Sequence, residues 1–473
     1  MAALMIAGTH SGAGKTTLTM GLLAAFVERG ETVQSFKTGP DYIDPTFHRR
    51  ITGRACSNLD TWMMDEATVK RLYSRAMEGA TMGIVEGVMG LFDGAAGQRP
   101  GGAGSSADLA RRLGLPILLV IDARSAAQSV AAVVHGFTTL DPSLRFAGIV
   151  INRIGSERHG RMIREAIEHL SPIPVLGCLP RDAFSSLPER HLGLVSAEEA
   201  TPALRAYWKT LAKQIALHID LDRLRAIMRD EEQATGTAAV TTTGTGAASS
   251  ALLSATTKSA RPYRMAIARD RAFHFYYDDA LRDLADMGIE WVPFQPAAGE
   301  TFAADVDGIY LGGGYPELYL AELSNNQRFW DDLRHAHRRQ LPIFAECGGY
   351  MSLCTSISDG QESYAMGGLI PATCRMLDRR KALGYVHAEI AGDHLLGPAG
   401  TRLRGHEFHY SDVTFLAERE APAFWLQKNG EQGEKVAAGY RAPGLTASYL
   451  HVHLSAFPQA REALVQALAG RTR

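Results

Sequence analysis

The chain has 473 residues, of which 46% are hydrophobic and 21% are charged. This length predicts two or three domains, and the composition is typical of a globular protein in water. Lys+Arg 49 against Asp+Glu 51 gives a net charge of -2, so the overall charge predicts neither nucleic-acid nor membrane binding.

The cysteine content indicates a reducing environment. The five cysteines are an odd number and show no CxxC spacing, so neither a disulfide framework nor a structural zinc site is expected. The first apolar run is interrupted by Gly8 and followed by Lys15, unlike a signal peptide or a membrane span. We therefore expect a cytoplasmic protein.

Residues 1–230 repeat a pattern of strand, glycine turn and helix. The short apolar runs are typical of parallel strands covered on both faces, and they fall at residues 4–7, 83–85, 117–121 and 147–151. Helices are predicted at residues 16–29 and 126–140. Alternating strands and helices predict a doubly wound α/β domain on a parallel sheet.

The first strand leads into Gly14-Lys15-Thr16, the core of a P-loop. Backbone N–H groups of such a turn surround phosphates, the lysine neutralises the β and γ oxygens, and the threonine hydroxyl ligates Mg²⁺. A chance glycine-rich turn is the alternative, but a strand before it and a helix after it favour ATP binding. The predicted ATP-binding residues of this loop are Gly12, Gly14, Lys15, Thr16 and Thr17.

The loop departs from the usual P-loop pattern in one place. Thr9 stands where the first glycine is normally found, six residues before the lysine, and Gly8 precedes it. In this respect the loop resembles that of dethiobiotin synthetase-like ligases. It lacks the early lysine of partitioning ATPases, because Ser11 occupies that position.

Two strand ends are predicted to carry further polar groups to this site. The strand at residues 83–85 ends at Glu86, a carboxylate suited to be a second Mg²⁺ ligand, with a simple surface residue as the alternative. Asn152 follows the strand at residues 147–151 and is predicted to bind the adenine edge through its amide. Asparagine also commonly ends strands and begins turns.

The segment 37–45 follows the second strand and is predicted to reach the same sheet edge. Lys37 is predicted to contact a phosphate of ATP, and the aspartates to contact metal or substrate; a turn stabilised by Asp and Pro is the alternative. The predicted Mg²⁺ ligands are Thr16, Asp44 and Glu86, and the predicted substrate contacts are Asp41 and Tyr42.

The composition changes at residues 231–261, which are mostly Ala, Thr, Gly and Ser and are predicted to be a flexible linker. A surface helix over part of this segment is the alternative. A second α/β pattern occupies residues 262–473, with strands predicted at residues 264–268, 308–311, 341–345 and 382–390. The chain is therefore predicted to contain two different α/β domains.

The third of these strands leads into Cys347-Gly348-Gly349, a tight turn between a strand and a helix. A cysteine in such a turn is predicted to be exposed, with its pKa lowered by the N-terminus of the following helix. Its predicted role is that of a nucleophile. The alternative is a buried packing residue, which is the role expected for Cys354 and Cys374.

Other groups are predicted to serve this thiol. The Gly348 N–H is suited to bind an oxyanion, and Gly313 with Gly314 is predicted to complete the oxyanion hole. His451 is the predicted general base, and His453 is predicted to orient it. Residues 405–410 are rich in polar aromatic side chains, for which contact with substrate and a structural role are equally open.

These motifs together resemble one family, that of the cobyrinic acid a,c-diamide synthases, over essentially the full length of the chain. The resemblance depends on seven blocks in the same order, at residues 8–16, 37–45, 85–94, 312–317, 346–351, 405–409 and 451–453. In the related cobyric acid synthases an Asn-rich segment replaces residues 40–44, and a glycine follows the late histidine. Both differences favour the a,c-diamide family.

The resemblance implies an N-terminal ligase domain related to dethiobiotin synthetase and a C-terminal class I glutamine amidotransferase domain. It also implies Mg-ATP, glutamine and a corrinoid polycarboxylate as substrates within cobalamin biosynthesis, and a homodimer. In the implied reaction, Cys347 releases ammonia from glutamine, and ATP activates each acceptor carboxylate as an acyl phosphate. His453 stands where a glutamate usually completes the catalytic triad, so a dyad of Cys347 and His451 is the alternative.

Three alternatives remain at this point. Nickel-sirohydrochlorin and hydrogenobyrinic acid are rival acceptors for the same diamidation. A nucleotide-switched P-loop regulator belongs to a different functional class. The serine at position 11 and the pair formed by Cys347 and His451 argue against the regulator.

Overall fold

The computed structural model describes residues 2–184, 202–238, 261–417, 422–428 and 433–470. The chain divides into two compact units, Met1–Ser254 and Ala255–Arg473. The point of division falls within the predicted linker, whose residues 239–260 lie outside the described residues.

The first unit is built on a parallel sheet, as predicted. Its strands are β1 (Ala3–Gly8), β2 (Val33–Thr38), β3 (Ser57–Leu59), β4 (Met82–Glu86), β5 (Ile117–Asp122), β6 (Phe146–Ile154) and β7 (Val175–Pro180). Their order is β3-β2-β4-β1-β5-β6-β7, and every pair is parallel. The central strand β1 is buried along its whole length, as expected of a parallel strand covered on both faces.

Helices alternate with these strands. In the described part of the unit they are α1 (Lys15–Glu28), α2 (Asp44–Thr52), α3 (Glu66–Ala76), α4 (Ser106–Leu113), α5 (Val130–Thr139), α6 (Glu157–Leu170), α7 (Pro202–His218) and α8 (Leu221–Ala238). Helix α5 begins later than its predicted start at residue 126. Ser125 has a positive φ of 56° and lies in a turn, and this turn precedes the helix and shifts its start towards the C-terminus.

Helix α8 extends into the segment predicted as a linker. It includes residues 231–238, so the linker prediction is wrong for that stretch. The stretch begins with Glu231-Glu232-Gln233-Ala234, residue types with high helix propensity that prolong the preceding helix.

The loops that follow β1, β2 and β4 leave the sheet side by side. Strand β4 lies between β1 and β2, and Glu86 at its end is in register with both Ile6 and Lys37. Parallel strands have their carboxyl ends at the same edge of a sheet. The P-loop, the segment after β2 and Glu86 therefore meet at one edge, as predicted.

The second unit contains more strands than its α/β pattern predicts. They are β8 (Tyr263–Ala268), β9 (Ile289–Phe294), β10 (Gly308–Leu311), β11 (Ile343–Glu346), β12 (Cys354–Ser358), β13 (Ser363–Ala365), β14 (Ile370–Met376), β15 (Ala382–Ile390), β16 (Arg402–His409), β17 (Ser411–Phe415), β18 (Phe424–Gln427), β19 (Lys435–Ala438), β20 (Tyr440–Ala442), β21 (Leu445–Ser448) and β22 (His451–Val452).

The helices of this unit, within its described residues, are α9 (Asp278–Asp286), α10 (Leu320–Asn325), α11 (Gln327–Arg338), α12 (Gly348–Leu353) and α13 (Pro458–Ala469). Short 3₁₀ helices occupy Pro296–Ala298, Pro316–Leu318 and Leu454–Ala456. Across the described part of both units, no helix is long and apolar enough to span a membrane.

Three sheets organise the second unit. The largest has the order β20-β21-β11-β10-β8-β9, and only its β20–β21 pair is antiparallel. The other two have the orders β13-β12-β14-β17 and β19-β18-β15-β16-β22. The predicted strand at residues 382–390 is present as β15, but it pairs antiparallel with β16 and does not continue the α/β pattern. Its burial alternates over much of its length, which is typical of an antiparallel strand.

The packing of α1 against α7 allows a direct test of the first unit. A Cβ atom on Gly21 would lie 2.5 Å from Ile215 Cγ1. We expect Gly21→Val to lower the free energy of unfolding by about 1–3 kcal/mol, because it overpacks this contact. Urea unfolding followed by circular dichroism measures the change.

Gly136→Ala is the matched control for this substitution. Gly136 lies in α5, and a Cβ atom there would meet nothing within 4 Å. Alanine has the higher helix propensity, so we expect this variant to equal or exceed the wild type in stability. A Gly21→Val protein as stable as the Gly136→Ala protein would show that the two helices do not pack as described.

Candidate functional site

The P-loop connects β1 to α1 through two glycines in the left-handed region. Gly12 has a φ of 82° and Gly14 a φ of 103°, values that side chains rarely tolerate. A Cβ atom on Gly14 would lie 2.1 Å from Asn152 Nδ2, so only glycine fits there. Thr17 follows in the first turn of α1. The loop therefore has the glycine-dependent backbone that a phosphate cradle requires.

Two side chains at the end of β6 hold this loop. Asn152 Nδ2 donates to Ala13 O at 2.9 Å, and Arg153 Nη1 donates to Gly12 O at 2.8 Å. Asp122 fixes the Arg153 guanidinium at 2.5 Å. Arg153 was not among the predicted site residues, although it directly follows one of them, Asn152. Adenine binding by Asn152 stays a prediction, and in this structure its amide holds the loop.

Lys15 is buried beneath the loop. Its Nζ contacts Met89 O and lies 3.3 Å from His10 O. Burial lowers the pKa of Lys15, and the neighbouring Lys37 lowers it further, against the opposing effect of Glu86. Neutral carbonyl groups thus hold the Lys15 ammonium. Charged phosphate oxygens would accept stronger hydrogen bonds from it.

The predicted metal ligands meet beside Lys15. Thr16 Oγ1 donates to Glu86 Oε1 at 2.7 Å and lies 3.4 Å from Asp44 Oδ2. Lys37 Nζ lies 2.8 Å from Glu86 Oε1, and it also contacts Asp44. Burial alone would lower the pKa of Lys37, but the carboxylates outweigh that effect and raise it well above its usual value. Lys37 therefore remains charged.

These oxygen atoms fit Mg²⁺. Magnesium binds to proteins through one or two carboxylates together with phosphate oxygens and water, and a P-loop threonine is a usual ligand. Among the described residues, no group of three or more His, Cys, Asp or Glu side chains is arranged to hold a metal ion. A site made of Thr16, Asp44 and Glu86 contains only two carboxylates, so it is compatible with that absence.

Asp41 and Tyr42 lie at the start of the segment that leads to α2. Asp41 Oδ1 accepts from Ile43 N at 2.8 Å and from Asp44 N at 3.2 Å, which is the turn-stabilising role named as the alternative. Asp41 Oδ2 lies 3.3 Å from Lys37 Nζ. Tyr42 is buried. Their contact with substrate stays a prediction.

His48 is a member of this cluster that the sequence analysis missed. It is fully buried, with Nε2 2.9 Å from Glu86 Oε2 and Nδ1 3.6 Å from Cys56 Sγ. Burial opposes its charge, but the contacts to Cys56 and Glu86 raise the pKa of His48 to about 10. Its spacing gave a usable signal, because His48 lies four residues after Asp44 and so on the same face of α2.

The second site contains the turn predicted for the nucleophile. Cys347 connects β11 to α12 with a φ of 48° and a ψ of -104°, and its N–H donates to Ser448 O at 2.8 Å. A Cβ atom on Gly349 would lie 2.2 Å from Leu311 O. The glycine is required for this close approach of two backbone segments.

The prediction of an exposed cysteine with a lowered pKa is wrong. Cys347 is only 5% exposed, and its thiol lies 3.7 Å from Phe408 O. Burial raises the pKa of Cys347 well above its usual value, and the charge of Glu317 adds to the effect. The Gly348 N–H acts in the opposite direction but does not compensate. Helix α12 has only six residues, so its dipole is short.

The predicted base and oxyanion groups lie around this turn. A Cβ atom on Gly313 would lie 2.6 Å from His451 Cε1, and one on Gly348 would lie 3.2 Å from Gly314 N. Strand β22 pairs with β16, and this pairing brings the ring of His451 to 4.8 Å from that of His406. Burial and the neighbouring histidines lower the pKa of His451 well below its usual value. The imidazole is neutral, as a general base must be.

His453 is buried and stacks on Tyr277 with ring centroids 4.2 Å apart. Its predicted role in orienting His451 stays a prediction. The segment between the two histidines is held by Glu346, which the sequence analysis did not assign to the site. Glu346 Oε1 accepts from Val452 N at 3.0 Å, and Tyr310 Oη donates to Glu346 Oε2.

Residues 405–410 lie along β16 and beyond it, next to the thiol. His409 stacks on Tyr449 with centroids 3.6 Å apart, and its Nδ1 lies 2.8 Å from Ser411 O. These contacts support the structural role, one of the two left open. Cys354 and Cys374 are buried, as predicted.

Comparison with known proteins gives two family matches. Residues 4–195 match the CobQ/CobB/MinD/ParA nucleotide binding domain, and residues 264–459 match the CobB/CobQ-like glutamine amidotransferase domain. Each match contains one of the two sites: the P-loop in the first and Cys347 in the second.

Three relatives that match nearly the full length of the chain share one name. Proteins named cobyrinate a,c-diamide synthase are 42% identical in Syntrophotalea carbinolica, 41% in Listeria monocytogenes and 39% in Streptococcus sanguinis. The first alignment covers 99% of both chains. The second covers 95% of this chain and 96% of the relative, and the third covers 96% of each.

The buried carboxyl group of Glu346 gives a testable pH dependence. Burial raises the pKa of Glu346 from 4.5 to about 7, although Tyr310 and the Val452 N–H oppose it. The group thus stabilises the fold fully below pH 4.5, and this contribution is lost as the pH rises through 7. Glu346→Gln remains neutral: its amide oxygen can accept from Val452 N, and its NH2 group can donate to the Tyr310 hydroxyl, which then acts as the acceptor. Relative to it, we expect the wild type to lose roughly 1–3 kcal/mol of unfolding free energy between pH 5 and 8.

Urea unfolding at both pH values measures this difference. Glu322→Gln is the control, since Glu322 is exposed and its removal should leave the wild-type pH dependence in place. Parallel stability–pH curves for the wild type and Glu346→Gln would contradict a buried, easily protonated Glu346.

Proposed function

Because the chain belongs to the cobyrinate a,c-diamide synthase family, we propose that it amidates the a and c carboxylates of cobyrinic acid, using ATP and glutamine, in cobalamin biosynthesis. The similarity over 99% of the chain carries this proposal, because it covers a nucleotide-binding unit and a glutaminase unit together. We extend the proposal to a homodimer, which sedimentation equilibrium would test.

The glutaminase half begins at Cys347. Its thiol gives a proton to neutral His451, and the sulfur attacks the carboxamide carbon of glutamine. The carbonyl oxygen becomes an oxyanion that accepts hydrogen bonds from the Gly348 N–H and the turn at Gly313 and Gly314. The nitrogen leaves as ammonia with the proton from His451, and water then hydrolyses the thioester to glutamate. The neutral state and burial of His451 support this order of proton transfers.

The ligase half consumes that ammonia. An acceptor carboxylate attacks the γ-phosphorus of ATP, the bond to ADP breaks, and an acyl phosphate results. Ammonia then attacks the acyl carbon, phosphate leaves, and an amide remains; a second cycle completes the diamide. Lys15 and Lys37 neutralise phosphate oxygens during transfer. Thr16, Asp44 and Glu86 would hold Mg²⁺, which supplies further charge neutralisation at the phosphates.

The two halves can be separated by substitution. We expect Cys347→Ser to lose glutamine-dependent diamide formation by at least about a hundredfold and to keep the reaction with added ammonium chloride, because only the nitrogen source is removed. Lys15→Ala is the matched control and should lose both activities. A Cys347→Ser protein that ammonia cannot rescue would falsify the two-site scheme.

The acceptor is tested by mass spectrometry after incubation with Mg-ATP and glutamine. Cobyrinic acid, hydrogenobyrinic acid and nickel-sirohydrochlorin are supplied in parallel, and we expect two amidations of cobyrinic acid. If only hydrogenobyrinic acid or only nickel-sirohydrochlorin becomes a diamide, that compound replaces cobyrinic acid as the proposed acceptor. ATP hydrolysis without any amide product would instead favour the nucleotide-switched regulator.

A further inference from the structure

Glu317 belongs to the turn that supplies the proposed oxyanion groups. It follows Gly314 by three residues and lies in the 3₁₀ helix Pro316–Leu318. This turn packs on the residue after the nucleophile, because a Cβ atom on Gly348 would lie 2.9 Å from Pro316 Cδ. The same segment therefore carries the proposed oxyanion groups and Glu317, whose carboxylate is near enough to Cys347 to raise the pKa of its thiol.

The Glu317 carboxylate has no cationic partner in the described part of the chain. No ion pair with Lys, Arg or His is formed there, and no other residue donates a hydrogen bond to it. Burial raises the pKa of Glu317 to about 7, and only its own N–H opposes this change. Glu317 is only half-buried, so its side chain is open to a ligand.

A carboxylate in this position is unfavourable for the enzyme without substrate. Its charge raises the pKa of the Cys347 thiol and so opposes formation of the nucleophile. A cation that arrives with the substrate would remove this effect and provide the missing partner. Glutamine carries such a cation, its α-ammonium group. This group lies at the opposite end of the molecule from the carboxamide that reacts with Cys347.

We propose that Glu317 is a specificity-determining residue of the glutaminase site and binds the α-ammonium group of glutamine. This inference rests on the proposed function. With the carboxamide at Cys347, the turn at Gly313 and Gly314 binds one end of the substrate and Glu317 binds the other. A substrate without the ammonium group would lose the second contact and leave Glu317 unpaired.

The test compares glutamine with glutaramate, which is glutamine without its α-amino group. Ammonia release from each is measured as kcat/KM for the wild type, Glu317→Gln and Glu317→Asp. We expect Glu317→Gln to lower kcat/KM for glutamine about tenfold to a hundredfold, as for loss of a hydrogen bond between charged groups. For glutaramate the change should stay within about threefold. Glu317→Asp should recover part of the preference for glutamine.

Glu322→Gln removes the same charge from an exposed position in α10, and it should behave as the wild type with both substrates. Diamide formation from ammonium chloride should be unchanged in every variant, because it needs only the ligase half, and the retained rate with glutaramate shows that the glutaminase unit of each variant is folded. Equal losses for glutamine and glutaramate in Glu317→Gln would overturn the inference about Glu317 alone. A wild-type protein that releases no ammonia from glutamine would overturn the proposed function itself.

Discussion

Parallel strands all end at the same edge of their sheet, and both sites depend on this constraint. In the first unit, the P-loop follows β1, the segment at residues 39–44 follows β2, and Glu86 ends β4, the strand between them. In the second, the turn at residues 312–317 follows β10 and Cys347 follows its neighbour β11. Residues far apart in the sequence are thereby brought together without any long loop.

Buried charged groups are mostly paired at the first sheet edge, whereas burial keeps the reactive groups neutral at the second. In the first unit, Lys37 and His48 face Glu86 and Asp44, so opposite charges are paired at short range. The pKa of Glu86 is accordingly lowered, because its cationic partners outweigh the effect of burial. In the second unit, burial dominates: the pKa of Cys347 is raised and that of His451 is lowered, so both are neutral. Lys37, His48 and Glu86 are thus ions in the first site, where burial raises the pKa of Asp44 to about 7, whereas the second site must create its ions during the reaction.

Much of this arrangement could be predicted from the sequence. The strand at residues 308–311 is β10 itself, because a short apolar run between turn residues leaves few alternatives. The P-loop and the turn at Cys347 depend on glycines at particular positions, and these glycines can be read directly from the sequence. The burial of Cys347 was only the alternative in the sequence, because β16 and the turn at residues 312–317 cover it from distant parts of the chain. For the same reason, Arg153 and Glu346 were missed: Arg153 binds Gly12 O and Asp122, and Glu346 binds Val452 N and Tyr310, all of them distant in the sequence.

The bracing of the P-loop has a consequence for how its sequence can change. Asn152 and Arg153 bind the carbonyl oxygens of Ala13 and Gly12, and the loop's own side chains take no part in those bonds. Any residue type offers the same carbonyl group. The shape of the loop therefore depends on residues 139 and 141 positions further along the chain, and a change at Asn152 or Arg153 can alter the loop while its own sequence stays the same.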